Sequence, residues 1–482
     1  MPKRTLRLAQ PTSGTTDGQA ARLRARFDAV RAEQEVPTTF PPEVVEEARE
    51  AATGGNLPDR DETAVPFRTI DPPGSMDLDQ ALHLERDGDG YRVRYAIADV
   101  QAFVDPGSAL DAEARRRGQT IYAPDRRTPL HPPELSEGAA SLLPDQVRPA
   151  YVWDVRLDPE GETTSAEVYR ALVRSVARHD YDEVQQTVDD GTAHEVLALL
   201  KEVGEKRLAL ERRRGGASLP MPEQEVTQDE AGHFRLHFRP PLAAEDWNAQ
   251  ISLMTGMLAA EMMLKGGLGI LRTMPAPEEA AVERFRREAR ALGVDWPRTQ
   301  PYGELLRSLD RDDPRHLALV HEATALFRGA GYTPFDGAPP QAREHAAVAA
   351  PYAHVTAPLR RLVDRFGLVV CEALCRGAEV PDWVREALPG LPEAMQSSDR
   401  VAGAVERGCA DAVEAAVLEH RVGEVFDAVV VDARNDSGVL LQLKEPAVVA
   451  AGQGGAAPGA AVRARLAQAE IATSTVLFTV ED

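Results

Sequence analysis

The order of strand and helix patterns along the 482 residues limits the possible folds more than any other feature. From Val65 to about residue 180 apolar residues alternate, as in Tyr91-Arg-Val-Arg-Tyr-Ala-Ile, which is typical of half-buried strands. From about residue 182 to 420 the spacing is helical, and after Gly423 short β runs return between Gly and Asn/Asp turns. Strands followed by helices predict a large α+β domain, and the last β runs predict a small closed barrel of the OB type.

The first 64 residues carry a different pattern. Leu23 and Phe27 lie at helical spacing, and a second helix is indicated between Pro41-Pro42 and Gly54-Gly55. Two short helices, with arginines on the first, favour a small RNA-binding domain of helix-turn-helix or winged-helix type. Helices that pack on the next domain would give the same pattern, so the sequence leaves both alternatives open.

Composition indicates an ordinary globular protein, with 43% apolar and 27% charged residues. No apolar run approaches the roughly 20 residues of a membrane span, and the first residues lack the apolar core of a signal peptide. The cysteines Cys371, Cys375 and Cys409 form neither a disulfide framework nor a zinc spacing. We therefore expect a cytoplasmic protein in a reducing compartment, without a membrane partner.

The net charge of −22 argues weakly against a nucleic-acid binder, because phosphate contacts need Lys and Arg. A cationic channel inside an acidic shell is compatible with the same total. The arginines are indeed clustered, at Arg115-Arg116-Arg117, Arg126-Arg127, Arg212-Arg213-Arg214 and Arg360-Arg361.

Three carboxylates, Asp71, Asp77 and Asp79, lie within nine residues, at the end of one predicted strand and the start of the next. Converging carboxylates are the ligands of a hard divalent cation, with water and substrate phosphate in the other positions. Solvated acids in a turn would give the same pattern. A calcium loop is excluded because the twelfth position from Asp77 is Gly88, where such a loop needs Glu.

The stretch Thr69-Ile-Asp71-x5-Asp77-x-Asp79-Gln80-Ala81 resembles the catalytic signature of the RNase II (RNB) family of exoribonucleases. The resemblance covers residues 65–420, and residues 421–482 resemble the S-one type of OB barrel. It implies an RNB catalytic domain at 65–420 and an RNA-binding OB-type β-barrel at 421–482, which together with the small helical domain expected at 1–64 predict a multidomain α+β protein. Further motifs follow in the family's order: Tyr95-Ala-Ile-Ala-Asp99-Val, Arg117-Gly-Gln-Thr-Ile-Tyr122-Ala-Pro, and His354-Val-Thr-Ala-Pro358-Leu-Arg360-Arg361-Leu-Val-Asp364-Arg365.

The resemblance implies a processive 3′→5′ hydrolytic exoribonuclease that degrades single-stranded RNA from its 3′ end to nucleoside 5′-monophosphates. It implies Mg²⁺, with Mn²⁺ as the possible substitute, in a two-metal mechanism with Asp71, Asp77 and Asp79 as ligands. Asp79 is the residue on which activity should depend most. A channel contained in one chain makes a monomer the expected state.

The same motifs imply roles for four further residues. Arg360 would neutralise charge on the scissile phosphate, since its planar fork suits phosphate. Tyr122 would stack on the base at the 3′ end, and Arg361 and Arg365 would line the RNA channel. His354 is expected to be a structural hydrogen-bonding residue. Without the context of these motifs, Arg360 would be interpreted as a surface cation and Tyr122 as a half-buried strand residue.

Three features depart from the family pattern. Gln80 stands where a fourth Asp is usual, which removes one negative charge from the catalytic set. Met254-Thr255 stands where members commonly carry Glu-Glu, and an aromatic of the base clamp is missing near residues 216–223. The first 64 residues are too few for two cold-shock barrels. A different RNA entry route, with access to structured RNA, is the hypothesis that this replacement suggests.

Two rival functions follow from the same residues. A catalytically weakened RNA-binding protein is motivated by Gln80 and Met254-Thr255, and it would bind RNA without cutting it. A metal-dependent hydrolase of a small phosphorylated substrate is favoured only by the acidic surface, and it would have no RNA affinity.

Overall fold

The structure is a computed structural model that describes residues 6–8, 18–219, 223–228, 234–239, 241–310, 313–434 and 438–481. The helices in these ranges are α1 (Gly18–Glu33), α2 (Pro42–Gly54), α3 (Ala109–Arg117), α4 (Tyr181–Asp189), α5 (Glu195–Arg214), α6 (Ala243–Gly266), α7 (Glu279–Ala291), α8 (Tyr302–Ser308), α9 (Pro314–Ala323), α10 (Leu362–Cys375), α11 (Asp382–Ala387) and α12 (Leu391–Leu418). None of these helices is both long and apolar enough to cross a membrane.

The strands in the same ranges fall before, between and after the helices. They are β1 (Leu6–Leu8), β2 (Phe67–Ile70), β3 (Gln80–Asp87), β4 (Gly90–Ala98), β5 (Ile121–Tyr122), β6 (Arg127–Thr128), β7 (Val147–Leu157), β8 (Thr163–His179), β9 (Glu223–Gln228), β10 (Phe234–Arg239), β11 (Leu268–Thr273), β12 (Gly331–Asp336), β13 (Glu344–His345), β14 (Ala350–Pro351), β15 (Val425–Arg434), β16 (Gly438–Leu443), β17 (Val449–Gln453), β18 (Ala461–Glu470) and β19 (Thr475–Val480).

Strands β2, β3, β4, β7 and β8 form a closed barrel that the sequence analysis did not predict, although it predicted the strands. Consecutive strands pair antiparallel, and a parallel pairing of β2 with β8 closes the barrel. Alternate residues enter two different clusters of buried side chains. Val93 and Trp153 pack with α5, α6 and α10, whereas Ala96 and Val152 pack with α2. The turn between β3 and β4 uses Gly88, whose φ of 61° favours glycine.

The helical half of the large domain packs around this barrel, as the strand-then-helix order predicted. Leu200 of α5, Met254 of α6 and Phe366 of α10 are all fully buried in one cluster with the barrel strands. Helix α6 ends at Gly267, which adopts the left-handed conformation common at helix C-termini. Strands β11 and β12 form an antiparallel pair that the helical spacing did not indicate.

Strands β15, β16, β17, β19 and β18 close in that order into a second barrel. Strand β17 pairs parallel with β19, and the other neighbours pair antiparallel. This is a small five-stranded barrel of the OB type, which confirms the prediction for the last part of the chain.

The two N-terminal helices pack on different parts of the chain. Leu23 and Phe27 of α1 share a buried cluster with Val413 of α12 and Phe478 of the C-terminal barrel. Val44 of α2 belongs instead to the cluster of the first barrel. A helical region is present as predicted, and α1 and α2 each pack on other parts of the chain. The helix-turn-helix type and the domain boundary at residue 64 stay predictions.

Candidate active site

Three segments that are distant in the sequence meet at one end of the first barrel. They are the stretch between β2 and β3, the β5–β6 hairpin, and the loop before α10. Gln80 Nε2 donates to the carbonyl of Thr356 at 2.5 Å, and the Leu359 N–H donates to Asp79 Oδ1 at 2.8 Å. The N–H of Thr120, next to the hairpin, donates to the Arg360 carbonyl at 3.0 Å. These bonds hold the predicted residues Asp79, Gln80 and Arg360 together.

Asp79 is the most deeply buried of the three predicted carboxylates, with 3% of its surface exposed. Its Oδ2 lies 3.3 Å from Nε of Arg360, whose side chain is 46% exposed. Burial raises the pKa of Asp79 to about 8, against the opposing effects of Arg360 and of the Leu359 N–H. The charge of the buried Asp79 carboxylate is therefore only partly compensated, and its partner Arg360 extends to the solvent.

Asp71 lies just after β2, where its N–H donates to the carbonyl of His179 at 3.1 Å. Burial raises its pKa to about 6, with Arg360 and Arg178 acting in the opposite direction and Asp77 adding to the rise. Asp77 also contributes to the raised pKa of Asp79. Asp77 is therefore close enough to disfavour the ionised form of both Asp71 and Asp79.

Asp77 is tied to the β5–β6 hairpin. Arg127 Nη1 lies 2.5 Å from its Oδ1, and Tyr122 Oη donates to its Oδ2 at 3.1 Å. Tyr122 and Arg127 are direct partners across the hairpin, so both point to the same carboxylate. The Tyr122 ring is 49% exposed, which leaves a face available to a ligand.

The oxygen donors of this site fit a hard divalent cation by their chemistry, but their arrangement in this structure does not form a metal site. Asp71, Asp77, Asp79 and Gln80 offer only oxygen ligands to a cation, and the repulsion of Asp71 and Asp79 by Asp77 favours added positive charge. Within the described residues, however, no group of three or more His, Cys, Asp or Glu forms a cluster that could hold a metal. Arg127 and Arg360 compensate part of the charge instead.

Gln80 makes a hydrogen bond that an Asp at this position could not make. Its amide donates to the Thr356 carbonyl, whereas an ionised Asp carries no donor and is one methylene shorter. For the RNA cleavage that the sequence motifs imply, we expect Gln80→Ala to lower kcat by about 10- to 100-fold, the usual range for residues that orient ligands. Gln341→Ala, at an exposed loop position, is the matched control. Unchanged kcat in the Gln80 variant would contradict a positioning role.

Arg365 does not line an open channel, which corrects the sequence prediction. It is 1% exposed, and its guanidinium donates to Asp111 Oδ1 and Gln101 Oε1 at 2.7 Å and to the Val104 carbonyl at 3.0 Å. Its position in the first turn of α10 points it into the protein, so its role is structural. Arg361 is partly exposed and pairs with Asp364 through bonds of 2.9 and 2.7 Å.

Three further predictions concern His354, the Met254-Thr255 pair and the missing aromatic of the base clamp. His354 Nδ1 lies 2.8 Å from Tyr332 Oη, which confirms it as a hydrogen-bonding residue, and burial lowers its pKa. Met254 and Thr255 are completely buried on α6, so this position carries no ionisable group. The missing base-clamp aromatic concerns a stretch that includes residues 220–222, which lie outside the described residues.

The sequence did not identify Arg127 as a residue of this site, and it did not indicate a group of hydroxyl side chains near Asp71. Tyr95 Oη lies 2.7 Å from Ser252 Oγ, and Tyr181 Oη accepts from Asn248 at 3.1 Å. The Asp71 charge contributes to the raised pKa of both tyrosines, so both lie near it. Arg127 could have been found from the hairpin register opposite Tyr122, but the position of these hydroxyl side chains depends on long-range packing.

Comparison with known proteins identifies the family of this chain. Residues 59–372 match the RNB domain, and residues 424–481 match the RNase II-type exonuclease C-terminal S1 domain. Ribonuclease R of Escherichia coli (strain K12) is 31% identical over 337 residues, covering 66% of this chain and 40% of that protein. Exosome complex exonuclease RRP44 homolog A of Arabidopsis thaliana is 31% identical over 314 residues, covering 62% of this chain and 33% of that protein. The chain thus spans two fifths or less of these relatives.

Solved structures share the fold. Mycoplasma genitalium RNase R in complex with ribose methylated single-stranded RNA has a TM-score of 0.85 at 19% identity, covering 98% of this chain and 79% of that chain. Yeast Ssd1, described as a pseudonuclease, has a TM-score of 0.70 at 16% identity, covering 92% and 57%. Both a ribonuclease and a pseudonuclease therefore use this architecture. The RNB match extends over most of the chain, and the chain therefore belongs to the RNB family.

Proposed function

We propose that this protein is a hydrolytic 3′→5′ exoribonuclease that degrades single-stranded RNA to nucleoside 5′-monophosphates. The observation that carries the proposal is the convergence of buried Asp79, half-exposed Arg360 and exposed Tyr122 around adjacent carboxylates. A phosphodiester at an RNA end requires these features together: a charged fork for the phosphate, a ring for the base and acids at the reacting centre.

Each residue has a distinct task in this proposal. Arg360 binds the scissile phosphate with the part of its guanidinium that reaches solvent, while its Nε stays with Asp79. Tyr122 stacks on the terminal base, and Asp77 orients the Tyr122 hydroxyl. Asp71, Asp77 and Asp79 would hold Mg²⁺, with Mn²⁺ as a substitute, and the bound ions would activate water and stabilise the leaving oxygen. Gln80 keeps the loop of Thr356 beside this centre.

The substrate class follows from the family and from the charge of the site. Arg127, Arg178 and Arg360 supply positive charges near the carboxylates in an otherwise acidic protein. Solved RNase R structures of the same fold contain single-stranded and double-stranded RNA, which supports RNA, including structured RNA, as the substrate class here. A processive action, a monomeric state and a cytoplasmic location remain part of the proposal.

The test is digestion of a 5′-labelled single-stranded RNA with Mg²⁺, followed at single-nucleotide resolution. We expect the labelled RNA to shorten from its 3′ end, nucleoside 5′-monophosphates to accumulate, and excess chelator to stop the reaction. Full-length RNA that survives at enzyme excess would contradict the proposal. RNA binding without cleavage would instead establish the weakened RNA-binding protein, and absence of salt-sensitive RNA binding would favour a small-molecule hydrolase.

Tyr122→Ala should weaken capture of the RNA end more than the chemical step. Base–aromatic stacking contributes about 1–3 kcal/mol per base, so we expect KM for a short RNA to rise by about 10- to 100-fold. Tyr122→Phe is the matched control, because it keeps the ring and loses only the donor to Asp77. Equal KM values for the alanine variant and the unaltered protein would contradict stacking at this residue.

A further inference from the structure

The N-terminal helix α1 contacts the hairpin that carries Tyr122 through an ion pair whose arginine is buried. Nη1 and Nη2 of Arg31 donate to the two carboxylate oxygens of Asp125 at 2.7 and 2.8 Å. The two residues are 94 positions apart, and Arg31 is 1% exposed. Asp125 lies in the turn between β5 and β6, three residues after Tyr122.

Other contacts attach the same helix to the same hairpin. Arg31 Nη2 also donates to Asp28 Oδ1 at 2.7 Å, and the same carboxylate oxygen accepts from Arg126 of the hairpin turn at 2.7 Å. Ile121 of β5 is buried in one cluster with Leu23 of α1. The hairpin therefore contacts α1 by charge at its turn, and its strand β5 shares an apolar cluster with that helix.

A buried ion pair is a weak source of stability, because desolvation of the charges offsets most of their attraction. What it does provide is a fixed geometry, and a bidentate pair fixes both distance and angle. On the other side of the hairpin, Tyr122 and Arg127 both contact Asp77, the Tyr122 hydroxyl at 3.1 Å. A displacement of the turn would move both of these groups relative to the carboxylates.

We propose that Arg31 is a positioning residue, which acts through Asp125 to hold Tyr122 and Arg127 against Asp77. The N-terminal helix would then belong to the substrate site, although none of its residues is placed at the reacting phosphate. The kinetic part of this proposal rests on the proposed exoribonuclease function, whereas the structural part does not.

The first test is amide hydrogen exchange of the full-length, RNA-free protein, with Arg31→Met and Asp125→Asn compared separately and together. We expect faster exchange confined to residues 119–128 in each variant, with no further increase in the double variant. Arg22→Met is the matched control, because Arg22 of α1 makes a comparable bidentate pair with Glu419, at 2.7 and 2.8 Å, away from the hairpin. Unchanged exchange in the hairpin, or an increase that Arg22→Met reproduces, would overturn the proposal.

The second test is kinetic. Arg31→Met should raise KM for a short RNA by about tenfold, less than the ~100-fold that a 1 Å misplacement can cost, with a smaller change in kcat. In a Tyr122→Ala background it should cause no further rise in KM, since the part of the effect that concerns KM acts through the Tyr122 ring. A full additional loss in that background would overturn the proposal. If Arg31→Met fails to fold, the milder Asp125→Asn variant gives the same comparison, and if the protein cuts no RNA, the exchange experiment still decides.

Discussion

Asp79→Asn should abolish cleavage while leaving the folded protein and its RNA binding intact. We expect kcat to fall on the order of 10³-fold, the scale for removing one electrostatic group from a reacting centre. Asn retains an oxygen that can accept from the Leu359 N–H at the 2.8 Å position of Oδ1. The substitution also removes a buried carboxylate whose raised pKa shows that folding disfavours its ionised form. The Tm should therefore not decrease.

Single-turnover cleavage, fluorescence anisotropy with labelled RNA and thermal unfolding measure the three quantities separately. Asp89→Asn is the control, because Asp89 is an exposed acid in the turn between β3 and β4. A variant that cuts RNA at a rate close to the unaltered protein would remove Asp79 from the reacting centre. A decrease in Tm as large as the loss of activity would attribute the effect to folding.

Arg360→Lys should lower kcat by about 10²-fold, with a smaller effect on KM. Lys keeps a positive charge near Asp79, but it lacks the planar fork that binds two phosphate oxygens at once. The effect should therefore appear mainly where charge develops on the phosphate. Rapid-quench measurement of the first turnover separates this step from RNA binding.

Arg385→Lys serves as the comparison for Arg360. Arg385 is 43% exposed, close to the exposure of Arg360, and pairs with Asp336 by bonds of 3.1 and 2.7 Å on the surface. Equal kcat values for Arg360→Lys and Arg385→Lys would show that charge alone suffices at position 360, and would exclude recognition by the fork.

The residues that could be predicted from the sequence are those whose role depends on local pattern. Asp79, Arg360 and Tyr122 were identified from short motifs, and the structure brings all three to one site. The C-terminal barrel was predicted for the same reason, since alternation and turn residues specify its strands locally.

Predictions failed where the answer depends on orientation or on distant packing. Arg361 and Arg365 are the same residue type, four positions apart at the start of α10, so the sequence does not distinguish them. The structure shows that Arg365 is buried against Asp111. The closure of the first barrel depends on a pairing of β2 with β8, which are separated by about a hundred residues. Burial of Arg31 likewise depends on a hairpin far along the chain.

The position of α1 has a consequence for synthesis of the protein. Leu23 and Phe27 of this early helix are covered by α12 and by the last barrel, and Gln19 bonds to the Ala416 carbonyl 397 residues away. At about 5–20 residues per second, the ribosome needs roughly 20–90 s to produce the rest of the chain. Until α12 and the last barrel are synthesised, the part of the apolar face of α1 that they cover lacks its native partner, so we expect this part of the helix to bind chaperones on the nascent chain.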